Sequence, residues 1–196
     1  RKLLNQQSAH SGIVSSIMAT LYAKSQETEE HGIRLSNIAR AIGENMGLTT
    51  AEIDDIVLLS QLHDIGKIGI DDRILNKPGP LNEAEWKEMK RHPQIGYEIA
   101  KTTPQLSHIA YFILTHHEWW DGSGYPAGLK GEETPLISRI LAVADAYDAM
   151  TEDRIYRRAV SHEDAVAELI RCAGTQFDPD VVAVFVELVE EEKRSF

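Results

Sequence analysis

The sequence predicts an all-α chain. Apolar residues recur at spacings of three and four through most of its length, helix-start and helix-stop chemistry falls at the ends of those runs, and glycine and proline gather in the stretches between them. A chain of 196 residues can form one domain with a sizeable core, or one domain plus a short appended element. Hydrophobic content of 42% and charged content of 26% are ordinary for a globular protein.

Leu3, Leu4, Ile13, Val14, Ile17, Met18, Leu21 and Tyr22 suit a helix from about Ile13 onward, read as a connector over residues 1–25 that precedes a domain over residues 26–196. His10 stands alone there and reads as a surface residue. Glu27, His31, Arg34, Leu35, Ile38, Ala39 and Ile42 continue a helical period, which projects Glu27, His31 and Arg34 from one stripe. Gly47-Leu48 closes this helix, and Thr49 with Glu52 makes a capping box for the next. In that next helix Ile53, Ile56, Val57, Ser60, His63 and Asp64 keep the spacing, so His63-Asp64 is expected at its inner end. Gly66 then turns the backbone and Lys67 adds a cation.

Residues 68–82, with Gly69, Pro78, Gly79 and Pro80, read as a loop holding one short turn around Arg73 to Leu75. A helix from near Asn82 runs through Trp86 and Met89 to His92, which Pro93 biases toward extended backbone at an element boundary. Residues 104–117 read as a helix that buries Leu106, Ile109, Ala110, Ile113 and Leu114 and ends in His116-His117; His108 reads as structural. The turn-rich stretch from Glu118 to about Pro135 has glycines for unusual dihedrals and Trp119, Trp120 and Tyr125 to anchor or stack. Coming directly after two histidines, it is expected to rim a site. Residues 137–150 form a helix in which Ile137, Ile140, Leu141 and Ala144 lead into Asp145, with Asp148 one turn later on the same side. Ser161 to Cys172 and Pro179 to Val189 are closing helices, N-capped by Ser161 and Asp178, with Pro179 at a first helical position. Cys172 reads as core and His162 as surface.

The chemistry centres on His63-Asp64. Imidazole nitrogen beside carboxylate oxygen suits divalent Fe, Mn, Zn, Ni or Co, and one carboxylate can bridge two ions. Asp145 inside so apolar a run is costly unless paired or metal-bound. Neighbouring residues on a helix diverge by about 100 degrees, so His116 and His117 are expected to serve different ions, or one to bind and the other to support. Arg154, Tyr156, Arg157 and Arg158 form a basic cluster whose guanidinium forks fit phosphate or guanine edges.

A net charge of -11 argues against a DNA- or RNA-binding surface, and divalent ions would supply the local positive charge that an anionic substrate needs. The single cysteine excludes an internal disulfide framework and fits a reducing, cytoplasmic compartment. No apolar stretch approaches the roughly 20 residues that span a bilayer, and no signal pattern opens the chain. It begins at Arg1, which points to an excised fragment or a processed chain and leaves room for an upstream sensory or membrane domain.

Taken together, His31 with Arg34, His63-Asp64-Ile65-Gly66-Lys67, His92-Pro93, His116-His117-Glu118, Asp121-Gly122-Ser123-Gly124-Tyr125-Pro126, Asp145 and Arg154-Ile155-Tyr156-Arg157 resemble the HD-GYP family, a subgroup of the HD metal-dependent phosphohydrolases. The resemblance runs from about Glu27 to Val186. It implies an all-α HD helical bundle with additional C-terminal helices and a GYP loop, hydrolysing cyclic di-GMP to pGpG, with onward cleavage to GMP left open. It also implies metal ligands at His31, His63, Asp64, His92, His116, His117 and Asp145. Glu27 matches a position that adds a ligand for a third ion, so two or three ions are implied, with iron or manganese foremost. Lys67 and Asp64 match catalytic positions. Lys67, Tyr125, Asp148, Arg154, Tyr156 and Arg157 are the expected substrate contacts. Ile155 stands where the family has proline, which bears on the loop holding Arg154 and Arg157 and so on substrate preference, and Trp119 stands where it often has arginine; neither removes a ligand. Cyclic GMP-AMP, a linear nucleotide, and a nucleotide receptor that contacts a diguanylate cyclase without turnover remain as alternatives, and a homodimer is compatible.

Overall fold

In the computed structural model, residues 2–25, 28–152 and 158–194 are described. The described residues are helical and contain no strand, only an isolated bridge between Ala173 and Phe177. Helices α1 (Lys2–Lys24), α2 (Glu29–Asn45) and α3 (Thr50–Leu62) come first, followed by a 3-10 helix (Ile65–Gly69), then α4 (Asp72–Leu75), α5 (Glu83–Met89), α6 (His92–Thr102) and α7 (Ala110–Thr115). After a loop come α8 (Leu136–Thr151), α9 (His162–Cys172) and α10 (Pro179–Arg194).

Local chemistry sets several of these ends as expected. Thr49 accepts from the Glu52 amide while the Glu52 carboxylate accepts from the Thr49 amide, the reciprocal pair that starts α3. At the end of α2, Gly47 takes φ 77°, its amide donates to Glu44 O and the Leu48 amide to Gly43 O, so two carbonyls that the helix leaves open are satisfied. Ser161 accepts from the Asp164 amide at α9, and Asp178 from the Asp180 amide ahead of Pro179. The core gathers Leu35, Ala39 and Ile42 of α2, Ile56, Leu59 and Leu62 of α3, Ile113 of α7, and Ile140 and Ala144 of α8, all fully buried. Each such Leu or Ile contributes roughly 1.5–3 kcal/mol. Helix α2 lies against α3 and α8, so the three helices bring His31, His63 and Asp145 toward a common space.

Elsewhere the structure departs from the sequence reading. Helix α1 starts at Lys2, well before Ile13, and packs on the 3-10 helix, where Lys24 Nζ donates to Ile68 O at 2.5 Å. The expected helix over 104–117 is confined to Ala110–Thr115; residues 104–109 are turns in which Leu106 and Ile109 are buried without a helix to carry them. His92 is helical and opens α6, with Pro93 in the first turn where its missing N–H costs nothing, so the bias toward extended backbone is overridden. Gly66 has no positive φ and is not a left-handed turn residue. A Cβ there would lie 1.8 Å from His92 O and 2.5 Å from the Gly96 nitrogen, so its role is close approach between the 3-10 helix and α6. His162 is half-buried rather than free on the surface, its Nδ1 2.5 Å from the Tyr147 hydroxyl. Cys172 is buried, as expected.

Candidate metal centre

Three histidines reach the centre by one local device. His63 caps α3, His92 follows α5 and His116 caps α7, and in each the ring Nδ1 meets the carbonyl three residues back: Ser60 O at 3.1 Å, Met89 O at 2.8 Å and Ile113 O at 2.6 Å. Those carbonyls belong to last helical turns and lack helical partners. A carbonyl only accepts, so Nδ1 carries the proton and Nε2 is left with its lone pair turned to the centre. His31 does the same from α2 with a carboxylate in place of a carbonyl, its Nδ1 2.7 Å from Asp148 Oδ2.

The nitrogen and oxygen atoms so presented fall into two groups, Asp64, His92, His116 and His117 in one and His31, His63 and Asp145 in the other, with the ligand atoms of each within 4.8 Å of one another. Asp64 joins them. Its Oδ1 lies 3.1 Å from His92 Nε2 and 4.0 Å from His116 Nε2, while its Oδ2 lies 3.3 Å from His63 Nε2. Three imidazole nitrogens crowd on the first side, with His92 Nε2 3.4 Å from His116 Nε2 and 3.1 Å from His117 Nε2. Asp64 Oδ1 is buried and makes no hydrogen bond. Unsatisfied lone pairs facing one another in a buried site are costly unless a cation lies among them. The donor set therefore fits divalent metal. His116 and His117, expected to diverge, sit side by side in one group with ring centroids 4.0 Å apart, because α7 ends at Thr115 and the helical turn no longer separates them. The buried Thr115 hydroxyl, 2.9 Å from Ser138 Oγ, ties that end to α8.

Burial holds the His117 imidazole down at about 3 and His116 well below the ordinary histidine range, so both rings are uncharged at neutral pH, the form that can bind a metal ion. Burial alone would raise the Asp64 carboxyl, but the Lys67 ammonium, 2.6 Å from Oδ2, together with the His63 and His92 contacts, holds it well below the usual carboxylate range. The histidine shifts carry a sign. Between the folded values and the ordinary value near 6.5 the unfolded chain binds more protons than the folded one, so stability rises with pH through that window and is lost as pH falls below about 6.5. Metal-free protein is expected to lose on the order of 5 °C in Tm between about pH 7 and about pH 5, read by thermal unfolding in chelator. A flat profile would remove the buried neutral histidines from the account.

Asp148, expected to touch substrate, is buried and taken up by its own neighbours. Its side chain is 3% exposed, Arg34 Nε donates to Oδ1 at 2.7 Å and Arg34 Nη2 to Oδ2 at 3.1 Å, and Oδ2 also takes His31. Both oxygens are committed, so Asp148 orients His31, whose Nε2 lies 3.6 Å from Asp145 Oδ1. Arg34 one turn beyond His31 on α2 was the sequence signal for this partnership. Asp148→Asn is expected to weaken metal affinity about 10- to 100-fold in chelator competition while leaving the fold intact. Unchanged affinity would make the Arg34–Asp148 pair mere packing.

The loop after His117 is held by Glu118, whose place directly after the two histidines gives no sign of that role in the sequence. Buried at 4% exposure, it accepts from the Ala127 amide at 2.7 Å and the Leu129 amide at 3.0 Å. Gly124 has no room for a Cβ, which would lie 2.3 Å from the Trp119 nitrogen, and Tyr125 is thereby laid on His117, with ring centroids 4.9 Å apart. Trp119 is exposed, whereas Trp120 lies under the Arg139 guanidinium at 5.6 Å. Glu27, Arg154, Tyr156 and Arg157 lie outside the described residues.

The sequence profile of the HD domain family matches residues 13–181. A cyclic di-GMP phosphodiesterase of Thermotoga maritima is 43% identical over 170 residues, which are 86% of this chain and 46% of that protein. A 3'3'-cGAMP-specific phosphodiesterase 2 of Vibrio cholerae is 38% identical over 181 residues, 91% of this chain and 35% of that protein. The chain thus spans less than half the length of either relative. A crystal structure of a cyclic GMP-AMP specific phosphodiesterase of Vibrio cholerae superposes with a TM-score of 0.71 at 24% identity, over 91% of this chain and 48% of that one, which shows the shared fold. With that profile spanning most of its helices and the His-Asp pair at its centre, the chain belongs to the HD domain family, in its HD-GYP branch.

Proposed function

We propose that this chain is the catalytic domain of a metal-dependent phosphodiesterase that hydrolyses cyclic di-GMP. The observation that carries this reading is Asp64, a buried carboxylate with one oxygen toward each of two ligand groups and its Oδ1 without a hydrogen bond. His31, His63, Asp64, His92, His116, His117 and Asp145 would hold two divalent ions of iron or manganese, with Glu27 serving a third. Such ions acidify water and neutralise phosphate charge.

The chain's own residues do the rest. Lys67 Nζ, 2.6 Å from Asp64 Oδ2 and 20% exposed, would donate to a phosphate oxygen or to the leaving oxygen. Tyr125 would bear on the substrate from the GYP loop, and Arg154, Tyr156 and Arg157 would hold the nucleotide. A reducing cytoplasm, an upstream sensory domain and a diguanylate cyclase partner fit this role, as does a homodimer. No helix among the described residues is long and apolar enough to cross a membrane.

The 38% identical relative favours cyclic GMP-AMP as the second substrate to test. The deciding assay gives metal-reconstituted protein each dinucleotide and reads the linear dinucleotide (pGpG from cyclic di-GMP) and the mononucleotides separately. Turnover of cyclic di-GMP is expected; binding without turnover would make the domain a receptor, and faster cleavage of cyclic GMP-AMP would reassign the substrate.

A further inference from the structure

Helix α5 ends against the metal centre, since Met89 O holds the His92 ring, and the next residue, Lys90, is thereby set at its rim. Lys90 Nζ lies 5.2 Å from the centroid of the Tyr125 ring, the same ring that stacks on His117. Lys24, Lys67 and Lys77 are each matched with a carboxylate, at 3.4, 2.6 and 2.6 Å. Lys90 is exposed and has no carboxylate at ion-pair distance among the described residues, although the chain carries a net charge of -11. One turn earlier on the same helix Trp86 is 50% exposed, and it lines with Lys90 an open hollow bordered by Asn82, Glu83 and Lys87. An unmatched ammonium beside an open indole presents the two contacts a nucleotide asks for, a cation for phosphate and an aromatic face for a base.

We infer that Lys90 and Trp86 form an outer subsite for the distal half of a cyclic dinucleotide, with Lys90 taking the phosphodiester that is not being cleaved and Trp86 stacking on a base. The inference rests on the phosphodiesterase reading above and adds to it the residues that select a dinucleotide over a simple diester. A cyclic dinucleotide is a ring with two phosphodiesters. When one lies at Asp64 and Lys67, the ring carries the other outward, where Lys67 cannot follow because its ammonium is held by Asp64. The second negative charge then needs its own partner at the rim, and Lys90 beside Tyr125 is in that position.

The test compares cyclic di-GMP with bis(p-nitrophenyl) phosphate, which has one phosphate and no second half, on metal-loaded parent, Lys90→Ala, Lys90→Arg, Trp86→Ala and Trp86→Phe. Lys90→Ala and Trp86→Ala are each expected to raise KM for cyclic di-GMP about tenfold with kcat within about threefold, and to cut the preference for cyclic di-GMP over the simple diester by a similar factor. Lys90→Arg and Trp86→Phe should restore most of the preference, and metal content should match the parent in all four. If the parent cleaves cyclic di-GMP but the Ala variants keep its preference, or lose both substrates equally, the subsite is overturned while the enzymatic reading stands. A parent that cleaves the simple diester but not cyclic di-GMP overturns the substrate reading and the subsite with it.

Discussion

Asp64→Asn is expected to lower cyclic di-GMP hydrolysis by about a thousandfold or more and to reduce the metal bound per chain. The amide keeps the shape of the side chain but has one acceptor oxygen and no charge, so it cannot serve both ligand groups, which Asp64 now faces with Oδ1 toward His92 and His116 and Oδ2 toward His63. Loss of several kcal/mol of charge stabilisation corresponds to at least three powers of ten in rate. Lys67 also loses the carboxylate that holds its ammonium. Metal analysis by mass spectrometry alongside turnover decides the matter: full metal content with near-parent activity would show that Asp64 does not join the two groups.

Gly66→Ala is expected to be the most damaging small substitution. The added methyl would lie 1.8 Å from His92 O and 2.5 Å from the Gly96 nitrogen, both backbone atoms that no rotamer change can move aside. Gly96 faces the same contact from α6, where a Cβ would lie 3.2 Å from the Gly66 nitrogen. The two backbones must separate, which displaces Asp64 on one side and His92 on the other. Overpacking costs about 1–3 kcal/mol or more, so Tm should fall on the order of 10 °C. Metal affinity should fall with it. A variant with parental Tm and metal content would show that the 3-10 helix and α6 can part without cost to the centre.

What could be read along the chain was whatever its chemistry completes within a few residues. The Thr49 and Glu52 box, the Gly47-Leu48 stop and the Ser161 and Asp178 caps are hydrogen bonds between near neighbours, and they form where the sequence puts them. The candidate ligands were legible as an ordered set of motifs that resembles a known family rather than one by one, since a single histidine or aspartate in an apolar run can instead pair with its neighbours, as Asp148 does with Arg34 and His31. Periodicity states which residues share a face; it does not state how far a helix runs or what that face meets. Hence Leu106 and Ile109 looked helical but are buried by neighbours in a chain of turns, and Asp148 looked like a substrate contact until Arg34 and His31 were seen to occupy it.

By itself, then, the sequence determined the all-helical fold, most helix ends and the types of atom available to bind metal. Only the tertiary structure decided which of those atoms meet. Five helices and a 3-10 turn, separated by up to 117 positions along the chain, converge on Asp64, and their distances depend on how the buried faces of α2, α3, α7 and α8 fill space and on two glycines that let backbones touch. Packing is a sum over many distant contacts of comparable strength, so no short stretch of sequence contains it.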